Sequence, residues 1–428
     1  MRILIDNGSY EMRNFGDIAM LQVAVSRLRE VFPDAELHVF TTQPDRLKMF
    51  CPDVIPVPSH ITINGRALWC ETWQIFGGLH KVIPARFHTD LRLFEQRLRN
   101  KYPGLVGTWI RKRFAKRHIS TEDMDHFLAL VASADILIAS GGGYITDTFG
   151  RHATYVLSVL ALAQAMNKPT YIFGQGLGPL KSAWMQRVCK QTLPHLNCLA
   201  LREGRANLPI LLMLGINKNN CKTLVTGDDA IELAYTKKPE KLGTAIGINL
   251  RVASYSDVGE QLLGEVRKVL HKISEKHRAA MVPLPISRHE GDSDIATIAK
   301  ISDAFDDEYL DTLDTPQKII ENAGRCRIVV TGSYHAGIFG LSQGVSVIGL
   351  AKSEYYQAKF NGLADQFKQG VYVLDMTKEN FHQELERCMD EAWIAAPKNR
   401  MPLLEQSQRQ VDLSRKAYRE LRNWNKKK

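Results

Sequence analysis

Residues Arg327 to Phe360 read RIVVTGSYHAGIFGLSQGVSVIGLAKSEYYQAKF. The apolar run Ile328 to Thr331 has the length and β-branched content of a buried strand. Gly332, Ser333, Tyr334 and His335 follow it. A small-residue helix is then expected over Ala336 to Gln343, and a second apolar strand over Val345 to Leu350. Strand, glycine-containing turn, helix and strand make one βαβ unit. Its polar residues fall where the first strand ends and the helix begins. Open α/β sheets bind ligands there, and N–H groups at a helix N-terminus favour anions. His335 can both carry charge and move a proton near neutral pH. A plain capped helix uses the same residue types, so the turn alone does not establish a site.

The same alternation extends in both directions. Strands are expected at Ala245 to Leu250, Ala280 to Leu284, Tyr309 to Thr312 and Val371 to Leu374. Helices fit between them, such as Gly259 to Ser274 and one opened by Thr315-Pro316, with proline at the first helical position. Leu403 to Asn425 reads as a polar helix. Before this series, Lys237 to Gly243 is polar, contains one proline and one glycine, and reads as a linker. An earlier series has strands at Met1 to Asp6, Glu36 to Thr41, Val54 to Val57, Asp135 to Ala139, Thr170 to Phe173 and Cys198 to Leu201. Gly16-Asp17 starts a helix with Met20, Val23, Ala24 and Leu28 at helical spacing. Glycine-containing turns are expected at Ser140 to Tyr144 and Gly174 to Pro179; Thr226-Gly227-Asp228-Asp229 closes the half. Such alternation implies parallel sheets covered on both faces. The expected organisation is a Rossmann-like domain over 1–236 with an insertion at about 61–121, a second over 244–395, and a helical extension over 396–428.

The chain has 428 residues and a net charge of +10. Between Pro84 and His118, ten Lys/Arg stand against Asp90 and Glu95, a local balance of +8, so the remainder is close to neutral. No recognisable nucleic-acid module accompanies that charge, and no nucleic-acid partner is expected. In the basic segment, Phe87, Leu91, Phe94 and Leu98 line one expected helix face, with Arg92, Arg97 and Arg99 off it. Trp109, Ile110 and Phe114 sit among Arg111, Lys112, Arg113, Lys116 and Arg117. Stretches of this kind lie on anionic membrane surfaces. An insertion that packs its apolar stripe on a sheet has the same pattern. No run of about 18 apolar residues exists, so no membrane span is expected. The N-terminal MRILIDNG lacks the apolar core of a signal peptide. Seven widely spaced cysteines without a CxxC pair fit reduced thiols better than a disulfide framework or a structural zinc site. The expected location is cytoplasmic, with peripheral contact at the inner face of the cell membrane if the basic segment binds lipid.

Two such domains with a short linker and a C-terminal helix are similar to the GT-B architecture, in which two Rossmann-like domains face a cleft. At motif level the chain resembles the polysaccharide pyruvyl transferase family. The resemblance rests on Asn14-Phe15-Gly16-Asp17, on Gly141 to Gly143, on Gly174-Gln175-Gly176-Leu177-Gly178-Pro179 with Arg202 beyond it, and on Gly332 to Lys359. It implies transfer of the enolpyruvyl unit of phosphoenolpyruvate to a sugar of a cell-surface glycan or its lipid-linked precursor, closing a cyclic ketal. Family members commonly carry an arginine two residues before the motif histidine, where this chain has Ser333. A phosphoenolpyruvate donor then requires another cation.

That chemistry needs a general acid at the enol carbon, cations for carboxylate and phosphate, and a base for the sugar hydroxyl. His335 suits the acid. Arg251, Arg288 and Lys352 follow strand ends in the second series and are the donor-binding cations expected from position; a guanidinium grips an oxyanion in a two-point fork. Gly332, Ser333 and Tyr334 complete the donor turn. The resemblance places Glu354, Tyr355, Tyr356 and Lys359 near the donor pocket. It brings Asn14, Asp17, Gly142, Gly143, Gln175 and Arg202 toward the acceptor or cleft, with Asp292 matching a family aspartate in its loop. Asp17 also reads as a helix-capping residue, and Asp147, Asp228 and Asp229 are further carboxylates near turns. His289, Glu290, Asp292 and Asp294 match no standard ligand spacing, so neither metal nor cofactor is expected. Two other readings stay open: a GT-B glycosyltransferase using a nucleotide sugar, and a non-catalytic sugar- or nucleotide-binding protein.

Overall fold

The structure is a computed structural model and describes residues 1–59, 69–70, 75–76, 78, 81–217, 219–250, 259–302, 305–351 and 353–422. The chain forms two compact units, each drawn from separate stretches. The first comprises Met1–Glu11, Leu28–Leu201 and Asn207–Leu224; the second comprises Met12–Arg27, Arg202–Ala206 and Val225–Lys428.

In the first unit a seven-stranded sheet runs in the order β3-β2-β1-β4-β5-β6-β7. Its strands are β1 (Arg2–Asp6), β2 (Glu36–Thr41), β3 (Ile55–Pro58), β4 (Ile136–Ile145), β5 (Thr170–Leu177), β6 (Cys198–Leu201) and β7 (Thr223–Val225). The described pairings among β1 to β6 are all parallel. Helix Gly150–Ala165 buries nearly its whole length, from Ala153 to Ala163, because its sequence is apolar all round.

The second unit has a five-stranded parallel sheet, β14-β13-β12-β8-β9, formed by β8 (Ala245–Asn249), β9 (Met281–Pro283), β12 (Cys326–Thr331), β13 (Ser346–Ala351) and β14 (Val371–Asp375). Between β9 and β12, β10 (Arg288–His289) and β11 (Asp292–Ser293) form an antiparallel pair. β12 is central, so Ile328, Val329 and Val330 have no solvent exposure. A strand covered on both faces needs a continuous apolar run rather than an alternating one. Each such side chain contributes about 1.5–3 kcal/mol on burial.

Several expected elements are corrected. Tyr309 to Thr312 is not a strand but the end of helix Asp307–Thr312, because the Asp306 side chain accepts from the Tyr309 N–H at 2.7 Å and caps a first turn carrying Asp307 and Glu308. Gly141 to Gly143 is not a turn: β4 runs through it to Ile145. Glycine is needed there for close approach, since a Cβ at Gly141 would lie 2.2 Å from the carbonyl oxygens of Phe173 and Gly174. Gly174 to Leu177 likewise belongs to β5. The C-terminal helix is much longer than Leu403 to Asn425. It spans Phe381–Arg419, with Pro397 and Pro402 inside it.

The basic segment folds as helices His88–Lys101 and Pro103–Ala115, but its buried face is not the expected one. Phe87 and Phe94 are exposed, whereas Leu93, Glu95, Gln96 and Arg99 are buried. Arg99 is admitted to the interior by ion pairing with Glu95 one turn away and by donating to the Trp69 carbonyl at 2.8 Å. Among the described residues, no helix is long and apolar enough to cross a membrane.

Candidate functional site

Asn14 is where the second unit begins to build its site. Its side-chain oxygen accepts from the N–H groups of Gly16 (3.0 Å) and Asp17 (3.2 Å), capping helix Phe15–Val31. The flanking backbone docks on the loop after β9. The Phe15 N–H donates to the Ile286 carbonyl at 2.9 Å, and the Arg288 N–H to the Arg13 carbonyl at 2.8 Å. Asp294 fixes that loop from within, accepting from the Ile286 and Ser287 N–H groups and from the Asn249 amide at 2.8–2.9 Å.

These anchors bring Gly16 against His335. A Cβ built on Gly16 would sit 2.0 Å from Cγ and Nδ1 of the imidazole. No real side chain fits at that distance, so the glycine permits the contact. If His335 is the acid expected from the sequence, Gly16→Ala should displace the ring and cut turnover on the scale of losing a positioned acid, about 100-fold. Turnover measured beside the melting temperature checks this; a folded Gly16→Ala protein with undiminished turnover would remove the contact from the mechanism.

His335 lies at the start of helix Tyr334–Leu341, directly after β12. Thr331 shapes the turn: its hydroxyl accepts from the Ser333 N–H at 2.8 Å and donates to the Ser333 carbonyl at 3.0 Å. The Gly332 N–H donates to the Asn249 carbonyl at 2.9 Å. Ser333 is buried and its hydroxyl makes no capping bond.

The residue paired with His335 is Asp228. Its Oδ2 lies 3.6 Å from Nε2 of His335 and 3.8 Å from Nη1 of Arg202, and its side chain is fully buried. Neither Asp228 Oδ2 nor His335 Nε2 has a hydrogen-bond partner at closer range. Burial pushes the Asp228 carboxyl up, but neighbouring His335 and Arg202 outweigh it and hold the carboxyl below its usual range. Arg202 is itself buried. Burial opposes its charge, while Tyr334 and Asp228 more than restore it. Its guanidinium stands 4.1 Å from the Tyr334 ring centre, in cation–π geometry. Lys359, from helix Glu354–Phe367, donates to the Tyr355 hydroxyl and lies 5.9 Å from the Tyr334 ring. Asp17 is half-buried in the same neighbourhood. Burial raises its carboxyl above the ordinary value, against the opposing pull of His335, His289 and Lys359.

Of the expected site residues, then, Asn14, Asp17, Arg202, Gly332, Ser333, Tyr334, His335 and Lys359 lie in the second unit, in the neighbourhood of Asp228. Arg288 is there too, but its guanidinium is engaged at the end of helix Asp307–Thr312, with Asp311 Oδ1 at 3.0 Å and the Leu310 and Leu313 carbonyls at 2.6 and 3.1 Å. Only its Nε is buried without a partner. Asp292 lies in β11. Arg251 and Lys352 lie outside the described residues. Gly142, Gly143 and Gln175 belong to the first unit, where Gly142 pairs with Gln175 across β4 and β5. Near the carboxyl end of that sheet, burial pushes Asp6 up to about 7, against hydrogen bonds from Tyr10 and the Asn7 N–H. Burial pushes His152 down to about 4.

Behind Asp228 lies a buried ionic network. Arg27 donates to Asp229 at 2.7 Å, to Glu232 at 2.8 Å and to Ser414 at 2.6 Å. Asp229 also accepts from Ser414 at 2.6 Å and Tyr418 at 2.7 Å. Successive aspartates thus face different partners: Asp228 meets the histidine, and Asp229 ties the C-terminal helix to the first one. Gly227, at φ +89°, allows that helix to approach, since a Cβ there would meet the Gln410 side chain at 2.6 Å. Among the described residues, no group of His, Cys, Asp and Glu is arranged to hold a metal ion.

What this arrangement can do is hold a histidine, with a carboxylate behind it and two cations near, at a helix N-terminus. That suits proton transfer to a bound anionic substrate. The model of the polysaccharide pyruvyl transferase family matches residues 14–354. No curated protein matches the sequence. Among solved structures, one assigned as a UDP-N-acetylglucosamine 2-epimerase from Listeria monocytogenes aligns with a TM-score of 0.56 at 11% identity, covering 100% of this chain and 97% of that one. UGT89C1 of Arabidopsis thaliana in complex with UDP-L-rhamnose aligns at 0.54 and 9%, covering 99% and 98%. A UDP-glucosyltransferase from Polygonum tinctorium aligns at 0.54 and 10%, covering 99% and 98%. At such identities the likeness is one of fold, the GT-B arrangement of two Rossmann-like domains.

Proposed function

Given that the chain belongs to the polysaccharide pyruvyl transferase family and is therefore a transferase, we propose that it transfers the pyruvyl unit of phosphoenolpyruvate to two hydroxyls of a sugar in a cell-surface glycan or its lipid-linked precursor. The observation that carries this reading is the buried His335–Asp228–Arg202 constellation at the start of helix Tyr334–Leu341. In the reaction, the methylene of the enol takes a proton and becomes a methyl group. The first hydroxyl oxygen bonds to C2, the C2–O bond to phosphate breaks, and the second hydroxyl closes the ketal. Of the two hydroxyl protons, one balances the proton gained by the methyl group and the other leaves with phosphate.

His335, as imidazolium, is the acid that delivers the proton to the methylene carbon. Asp228 keeps that cation in place and oriented. Arg202 and Lys359 supply the positive charge that an arginine at position 333 would otherwise give, and Tyr334 forms the apolar wall between them. The raised carboxyl of Asp17 suits a group that accepts a hydroxyl proton. Peripheral contact with an anionic membrane through residues 84–118 belongs to the same reading. Phe87, Phe94, Leu105 and Trp109 are exposed there among the arginines and lysines.

The test is a thermal-shift comparison of phosphoenolpyruvate with a panel of nucleotide sugars, followed by detection of phosphate released in the presence of glycan acceptor. A ligand at about 100 times its Kd stabilises by about 2.7 kcal/mol, which is readily seen. Phosphoenolpyruvate is expected to stabilise the protein and to yield phosphate only with acceptor present. Stabilisation and release confined to a nucleotide would favour the second reading, glycosyl transfer, which Ser333 at the arginine position supports. Stabilisation without any release would favour a binding protein.

A further inference from the structure

The first unit contains an open depression of about 720 Å³, far from neutral in its lining. Three helix C-termini converge on it: those of His88–Lys101, Gly150–Ala165 and Ala183–Thr192. Arg97, Lys101, Lys168 and Lys190 line it, together with His195, and no carboxylate does. None of these side chains forms an ion pair with a carboxylate among the described residues.

Cations in a last helical turn have an ordinary explanation, since they offset the negative end of the helix dipole. The magnitudes decide against that being all. Each helix end carries about half a negative charge, so three supply roughly 1.5, against four formal positive charges. A surplus of roughly 2.5 positive charges is left over in a shared hollow.

We propose that this depression binds a phosphate-bearing anion, with Lys168, Lys190, Arg97 and Lys101 neutralising its charge. A diphosphate carries the charge that matches the surplus. The same chemistry is offered by a soluble phosphate compound and by the headgroup of an anionic lipid. No residue of the depression belongs to the donor site, so the fate of the donor reading does not decide this one, although Arg97 and Lys101 belong to the 84–118 segment.

The full-length protein with Lys168→Glu and Lys190→Glu tests it, with Lys168→Gln and Lys190→Gln as the milder pair should charge reversal prevent folding. One arm titrates inorganic pyrophosphate at fixed ionic strength and follows the melting temperature. The other sediments the protein with vesicles of phosphatidylglycerol and, as control, of phosphatidylcholine. Wild-type protein is expected to respond in at least one arm, and the variant to bind that probe about tenfold more weakly or worse, the scale of losing hydrogen bonds between charged partners. Dependence on the two lysines in the pyrophosphate arm alone identifies a soluble ligand; dependence in the vesicle arm identifies a lipid. If neither arm distinguishes the variant from wild type, the proposal is overturned.

Discussion

Replacing His335 with alanine is expected to lower turnover by about 100-fold or more, the contribution of a positioned general acid. Donor affinity should change far less, because in the proposed mechanism Arg202 and Lys359 hold the donor and neither depends on the imidazole. His335→Gln is the companion variant. It keeps most of the volume in a buried position, so a loss shared by both substitutions is chemical rather than a matter of packing. Asp228→Asn should also slow the reaction, since it leaves the shape intact but removes the charge that faces Nε2 at 3.6 Å. The pH dependence has a definite sign. The Asp228 carboxyl is held below its usual range in the folded protein. Its stabilising contribution is therefore present above the unfolded value and is lost as pH falls through the folded one. Asp228→Asn should accordingly flatten the acid limb of the stability curve. Full turnover by folded His335→Ala protein on its identified donor would defeat the mechanism.

The largest effect on stability is expected from Arg27→Met. The substitution leaves Asp229 and Glu232 buried with their principal counter-charge gone. Breaking a buried ion pair from one side costs about 3–5 kcal/mol, or roughly 6–20 °C in melting temperature for a unit of this size. The Glu232 share of that cost is softened by Arg415, which also donates to its carboxylate, at 2.9 Å. Asp229 has only the hydroxyls of Ser414 and Tyr418 left. Removing charge on both sides, with Arg27→Met, Asp229→Leu and Glu232→Met together, should recover much of the loss, because a well-packed apolar replacement avoids the desolvation cost. Calorimetry of the two variants is the measurement. A melting temperature within about 2 °C of wild type for Arg27→Met alone would show that the network carries little of the stability.

How far the sequence reaches is clearest around His335 itself. The apolar run of β12, the glycine after it and the small-residue helix are all local signals, and they mark the histidine's position at the carboxyl end of a strand, where open α/β sheets bind ligands. Its partner could not be read so. Asp228 and Asp229 are adjacent and chemically identical, and nothing local says which faces the imidazole and which the arginine; that is settled by helices far away in sequence. Arg202 was expected near the cleft, yet its contact with Tyr334 depends on a fold that brings residues 202–206 into the second unit. Misread elements have equally physical causes. Tyr309, Leu310 and Thr312 favour strands by type, but the cap at Asp306 prevails. Pro397 and Pro402 hid the early part of the C-terminal helix, since proline ordinarily breaks one. The glycines of β4 looked like a turn because the neighbouring backbone that requires them is invisible in one dimension. In the basic segment, Arg99 was placed outside because burial of an arginine needs a specific partner, here Glu95.

The hydrogen bond from Arg27 to Ser414 joins residues 387 positions apart. On a ribosome adding about 5–20 residues per second, the arginine emerges roughly 20–80 s before the serine that completes its shell. Throughout that interval the first helix has no finished place to dock, and Gly16 has no histidine to meet until position 335 is made. The second unit therefore matures last and nearly all at once. Its newborn chain is expected to stay open to proteases and chaperones until the final helix is made, and a message cut short within that helix is expected to yield a complete first sheet without the Ser414 and Tyr418 contacts to Asp229.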